Sequence, residues 1–177
     1  GVRIGSRTVT APVPAPTAAS VVTQTLRIEE NVYYMHEMSR PDYADHLTDV
    51  VISVTSSAPT ATKNYSFTPD DIVLTGGTVQ MNMLLYGTKN TGFTPDKYTQ
   101  LKLNNQVIGS YFWDGMVDQL LTSKIPVSSF VSGANQLAII ADRTQLPIPV
   151  DYVFAPDWVE FKYPARADAE NNAIYIQ

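Results

Sequence analysis

A chain of 177 residues with 44% hydrophobic and only 16% charged side chains can bury one sizeable core, and its surface must lean on Thr, Ser, Asn and Gln rather than on ion pairs. The formal charge of −5, with 12 basic residues thinly scattered, leaves no electrostatic footprint for a phosphate backbone and argues against nucleic acid as a partner. Cysteine is absent, which removes disulfides, thiolate nucleophiles and thiolate metal sites together.

Residues 1–22 lack the apolar central block of a signal peptide, and no run of about 18 apolar residues exists to span a bilayer. The leading Gly1 reads as a scar of tag removal, and Ala11-Pro12-Val13-Pro14-Ala15-Pro16 as a spacer. We therefore expect a flexible linker over 1–22 and one β domain over 23–177, cut from a longer protein. Residues 21–30 alternate, with Leu26 and Ile28 on one face and Thr25, Arg27 and Glu29 on the other, as in a half-buried strand. A short apolar run at 32–35 carries Tyr33 and Tyr34, and the polar stretch 40–47 has room for one helical turn.

Residues 49–55 are rich in β-branched side chains, and Tyr65 and Phe67 alternate with polar residues on an expected hairpin partner. Val79, Met81, Met83 and Leu85 form the cleanest inward stripe, ended by a long loop over 88–95 with Asn90, Gly92 and Pro95. Strands at 98–103 and 106–113 flank Asn104-Asn105, a pair suited to the left-handed backbone of a tight hairpin turn. A strand at 119–127, a helical turn at 128–131, a positive φ at Gly133 and a strand opening with Leu137, Ile139 and Ala141 follow. The last strand, over 150–163, sets Val159, Phe161 and Tyr163 against Trp158, Glu160 and Lys162. With eight to ten strands, no helix of three turns and uneven loops, an antiparallel β-sandwich of jelly-roll type fits better than an up-and-down barrel.

Over 101–163 the order of signals resembles the galactose-binding-like β-sandwich that precedes the catalytic domain in gingipain-type cysteine peptidases and related secreted bacterial proteins. The matching pieces are Leu103-Asn104-Asn105-Gln106-Val107-Ile108-Gly109, Phe112-Trp113-Asp114-Gly115, Ile125-Pro126-Val127 and Gly133-Ala134-Asn135-Gln136-Leu137. They close with Val150-Asp151-Tyr152-Val153 and Asp157-Trp158-Val159-Glu160-Phe161-Lys162-Tyr163-Pro164, and residues 26–34 look like the module's opening strand. The resemblance implies an extracellular or cell-surface accessory domain, partnered by a neighbouring domain of the same parent chain. It implies no catalytic residue, because the family's catalytic Cys and His belong to another domain.

Gly109-Ser110 lacks the second glycine and the strand-to-helix turn of a nucleophile elbow. His36 and His46 stand ten apart near Asp42, Asp45 and Asp49 without compact ligand spacing. Asp114, Asp118, Asp142, Asp151, Asp157 and Glu160 fall near strand ends, and no spacing rule selects two of them as a hydrolytic pair. Calcium is the one cofactor with oxygen ligands to hand, at Asp70-Asp71 or in the Asp42/Asp45/Asp49 group. Glycan binding rests on Tyr111, Trp113 and Asp114 at one strand end and Asp157 and Trp158 at another. In each cluster an aromatic face lies beside a hydroxyl-bonding carboxylate. Phe112 and Trp113 must divide between core and surface by alternation.

These observations lead us to expect a non-catalytic accessory module that positions or docks a neighbouring domain. The alternatives are a carbohydrate-binding module and a small carboxylate-dependent hydrolase.

Overall fold

The computed structural model describes residues 21–35 and 46–166, and the strand placement of 169–170 and 173–174. Eleven strands can be followed in the first two stretches. β1 (Val21–Glu29), β4 (Ile52–Val54), β6 (Thr78–Gly87), β9 (Asp118–Pro126) and β11 (Tyr152–Arg166) make a five-stranded sheet ordered β1-β11-β6-β9, with β4 continuing the β1 side of β11. β5 (Thr60–Phe67), β7 (Lys97–Leu103), β8 (Gln106–Trp113) and β10 (Asn135–Asp142) make a four-stranded sheet ordered β5-β10-β7-β8. The short β2 (Tyr33–Tyr34) and β3 (Leu47–Thr48) pair with each other, as do β12 (Ala169–Glu170) and β13 (Ala173–Ile174).

All the strand pairs are antiparallel, and from β5 onward the chain changes sheet at every connection except the β7–β8 hairpin. That is the crossing pattern of a jelly-roll-type sandwich. A barrel is excluded because the edge strands β8 and β9 belong to different sheets and share no ladder among the described residues.

Alternation in the sequence becomes the core. Val79, Met81, Met83 and Leu85 of β6 are fully buried against Leu101, Leu103, Leu137, Ile139 and Ala141 of the opposite sheet. Each such side chain contributes roughly 1.5–3 kcal/mol on leaving water. Aromatic rings close the core: Phe67 stacks on Phe161 at 4.8 Å, and Phe130 meets both edge-on.

The Asn104-Asn105 turn forms as the sequence requires, with φ of 49° and 69°. Asn104 also ties the turn down, its amide donating to Ser129 O and Asn135 Oδ1 and its carbonyl accepting from Gln136 N. A positive φ at Gly133 falls where expected, and the helical turn expected over 128–131 forms as a 3-10 turn at Val127–Ser129.

One expectation fails. The 49–55 segment does not pair with β5; β4 pairs with Tyr152–Phe154 of β11, while β5 pairs with β10. Alternation fixes which face a strand buries, and says nothing about which neighbour it chooses. The tight turn closed by Thr55 N to Ala58 O instead carries the chain from one sheet to the other. β1 is described from Val21, and residues 1–20 of the expected linker and the polar 40–45 stretch lie outside the described residues.

Candidate functional site

The outer face of the five-stranded sheet is built by the polar halves of the same alternating strands. Its register sets Glu29, Trp158, Leu84 and Leu120 in one row across β1, β11, β6 and β9. Arg27, Glu160, Asn82 and Thr122 make the next, and Thr25, Lys162, Gln80 and Lys124 the one after. Trp158 reaches this face because the ladder shifts between Pro156 and Trp158: Asp157 is the extra residue of a bulge. Without it, every side chain from Trp158 onward would point the other way.

Trp158 is half-buried, with the Arg27 guanidinium 4.6 Å from its ring centroid. Arg27 Nε donates to Glu29 Oε2 at 2.7 Å. Thr122 Oγ1 and Gln80 Nε2 both donate to Asn82 Oδ1, and Lys162 pairs with Glu160 at 3.3 Å. Beyond Lys162 the face opens into a cleft of about 460 Å³ lined by Thr23, Gln80, Lys124, Lys162, Tyr163 and the glycine turn at Gly76 and Gly77. The arrangement sets a half-buried indole, covered by Arg27, beside amides, hydroxyls and ammonium groups.

The other expected site residues go elsewhere. Trp113 is buried in the core, its indole N–H donating to Thr99 Oγ1 at 3.0 Å and its ring edge-on to Phe154. It therefore has no free face for a ligand, and the outward member of the pair is Phe112, 55% exposed. Tyr111 folds over Gly109 and donates to Thr122 O, and Asp114 Oδ1 accepts from Asp96 N. Asp157 is buried at the bulge beside Trp158. The structure thus leaves Tyr111, Trp113 and Asp114 at the β8 end and Asp157 and Trp158 on β11, without merging the two clusters.

Asp114 belongs to a buried charge cluster that no pattern in the sequence announces. Asp96 and Lys97 have fully buried side chains and pair at 2.7 Å; Lys97 Nζ also donates to Lys89 O. Asp96 further accepts from Thr91 N and Gly115 N. Burial alone would raise the Asp96 carboxyl, but the bonds from Lys97, Thr91 and Gly115 outweigh it and hold the group below its ordinary value. Burial also pulls the Lys97 ammonium below its ordinary value, against the attraction of Asp96. The cluster pins the 88–96 loop to the β8–β9 connection. There β6 passes so close that a Cβ on Gly87 would overlap Gly115 O, so only glycine fits.

Asp49, Asp142 and Asp151 are also engaged. Asp49 is buried and accepts from Tyr65 Oη, Lys63 Nζ and Val50 N, bonds that outweigh burial and lower its pKa. Asp70 and Asp71 are exposed, and no group of three or more metal-ligating side chains gathers among the described residues. His46 is buried with Nδ1 3.1 Å from Met35 O, while His36, Asp42 and Asp45 lie outside the described residues. Asp142 caps the 3-10 turn at Arg143–Gln145, Asp151 pairs with Arg143, and Ser110 Oγ faces Tyr98 and Gln100. No described helix is long and apolar enough to cross a membrane.

No protein-family model matches the chain, and no curated protein matches it. Among solved structures it is similar to dimeric latent PorU from Porphyromonas gingivalis, with a TM-score of 0.60 and 13% identity over 90% of this chain. The chain spans only 14% of that protein's length. A family 35 carbohydrate-binding module from an environmental isolate superposes with a TM-score of 0.46, 14% identity and coverage of 88% of this chain and 96% of that one. The module CBM36 in complex with calcium and xylotriose gives 0.43, 12%, 77% and 98%. The likeness to PorU is one of fold, in agreement with the sandwich resemblance over 101–163; the two looser superpositions carry no further weight.

Proposed function

We propose that this chain is a non-catalytic accessory β-sandwich of a secreted bacterial multidomain protein, and that the outer face of its five-stranded sheet binds glycan chains. The observation that carries the reading is the line from Trp158 through Asn82, Thr122 and Glu160 to Gln80 and Lys162, which ends in an open cleft. Trp158 and Lys162 stand four residues apart on β11, roughly 13 Å at about 3.3 Å per residue, enough for a short run of linked sugar rings. An indole stacks on the apolar face of a sugar ring while amides and hydroxyls bond its edge. Stacking of a sugar on this ring requires Arg27, 45% exposed, to leave it, after which its guanidinium can donate to the sugar hydroxyls.

Calorimetric titration and glycan arrays test this directly. Binding that disappears in Trp158→Ala supports it; no binding to any glycan, or binding indifferent to that substitution, removes it.

A second reading, in which the module positions a neighbouring domain such as a gingipain-type peptidase, draws on a different surface. Phe93, Phe112, Met116 and Val117 are each at least 38% exposed around the loops at the β8 end. Deleting the module from its parent protein would expose that role as lost secretion, stability or activity, and unchanged behaviour would count against it.

A further inference from the structure

We infer that the cleft at the Lys162 end of this sheet face selects an acidic saccharide, carboxylated or sulfated, over a neutral one. The inference rests on the glycan-binding reading above and adds the ligand's charge to it. Although the protein carries −5 overall, Arg27, Lys124 and Lys162 all project from this one sheet surface, where Glu29 and Glu160 pair with Arg27 and Lys162 and leave Lys124 as the excess cation. Lys124 and Lys162 both line the cleft. Lys124 is exposed and has no ion-pair partner among the described residues, and Lys162 shares its ammonium with Glu160 at 3.3 Å while remaining 46% exposed. A lysine ammonium has three donors, so each retains donors for a ligand oxygen.

The neutral groups fit the same occupant. Gln80, Thr23, Thr75 and Thr78 surround the ammonium pair with hydroxyls and an amide, suited to the hydroxyl groups flanking a sugar carboxylate or sulfate. Gly76 and Gly77 both have positive φ, and a Cβ on either would meet nothing within 4 Å, so this wall is open backbone that a bulky anionic ring can approach. Acidic groups do lie nearby: Glu160 competes for Lys162, and Asp70 and Asp71 act electrostatically on the Tyr163 hydroxyl. They set the order of effects expected on substitution.

The test is titration calorimetry of the 177-residue chain with three oligosaccharides of equal length: a neutral β-1,4-linked xylose oligomer, a uronic-acid oligomer and a sulfated oligomer. We expect one or both acidic ligands to bind about tenfold tighter than the neutral one, with affinity falling as salt rises. Lys124→Gln and Lys162→Gln should each weaken acidic binding about fivefold and neutral binding by less, so that the acidic-to-neutral ratio narrows, and Glu160→Gln should tighten acidic binding about threefold. Preference for the uronic-acid or the sulfated oligomer identifies which acid group the cleft takes. Equal affinity for neutral and acidic ligands, or lysine variants indistinguishable from the parent, overturns this inference and leaves the glycan reading standing. Absence of binding by all three overturns both.

Discussion

Replacing Lys97 by Met removes the cation from a site where it and Asp96 are both fully buried, without greatly changing side-chain volume. Asp96 keeps its bonds from Thr91 and Gly115, so the carboxylate is not stripped of partners, but it loses its only ammonium at 2.7 Å. Breaking a buried pair by removing one member costs about 3–5 kcal/mol, and the surviving bonds place this case near 3. For a domain of this size that lowers Tm by roughly 6–12 °C. Asp96→Asn together with Lys97→Met removes both charges while the amide oxygen still accepts from Thr91 or Gly115, so the double variant should recover about 2 kcal/mol relative to the sum of the single ones. Urea unfolding followed by fluorescence measures both quantities, with Cm shifting and m unchanged. A Lys97→Met protein within about 1 kcal/mol of the parent, or strict additivity in the double variant, would refute the claim that these charges serve the fold.

Other outcomes follow from the same geometry. The carboxyls of Asp49 and Asp96 lie below their ordinary values in the folded state, so their stabilisation is complete above the unfolded carboxylate range near 3.8 and is lost as pH falls through the folded values. Urea midpoints should therefore drop below about pH 4, and Asp49→Asn should flatten that slope by up to about 1.4 kcal/mol per pH unit. Asn104→Ala loses bonds to Ser129, Asn135 and Gln136 and strains a φ of 49°, for a cost of about 2–3 kcal/mol; Asn105→Ala, strained only in φ, should cost about 1, both read from thermal unfolding. Trp113→Ala should destabilise by about 3–5 kcal/mol in urea. Trp158→Ala should cost less than about 1.5 kcal/mol in the same assay, yet weaken glycan binding about tenfold.

Much of the sandwich was legible because its strands alternate over long runs. Val79 to Leu85 and Leu137 to Ala141 bury every second residue as their sequence says, and Asn104-Asn105 occupy the two left-handed positions that a hairpin turn demands. Pairing was less legible, because β4 joins β11 with β5 to β10 lying between them in sequence, and no local pattern encodes a partner so remote. For the same reason alternation left open which of Phe112 and Trp113 turned inward. The core took the larger ring, where the indole N–H finds Thr99. Lys97 was invisible as a core residue, since a lysine in a strand reads as solvent-facing until its neighbour Asp96 is seen turned in beside it. The sheet-face site was half-legible: Trp158, Glu160 and Lys162 declared their common face, but Arg27, Gln80, Asn82 and Lys124 join them only through the register of four strands.

The central claim concerns where a ligand sits. Backbone amide spectra of the isotopically labelled chain, recorded during titration with a glycan oligomer, locate it residue by residue. The account predicts shift changes confined to Thr23, Thr25, Arg27, Gln80, Asn82, Thr122, Lys124, Trp158, Glu160, Lys162 and the 75–78 turn. Changes clustered instead at the 88–96 loop and the β8–β9 connection, or none at saturating ligand, would contradict it.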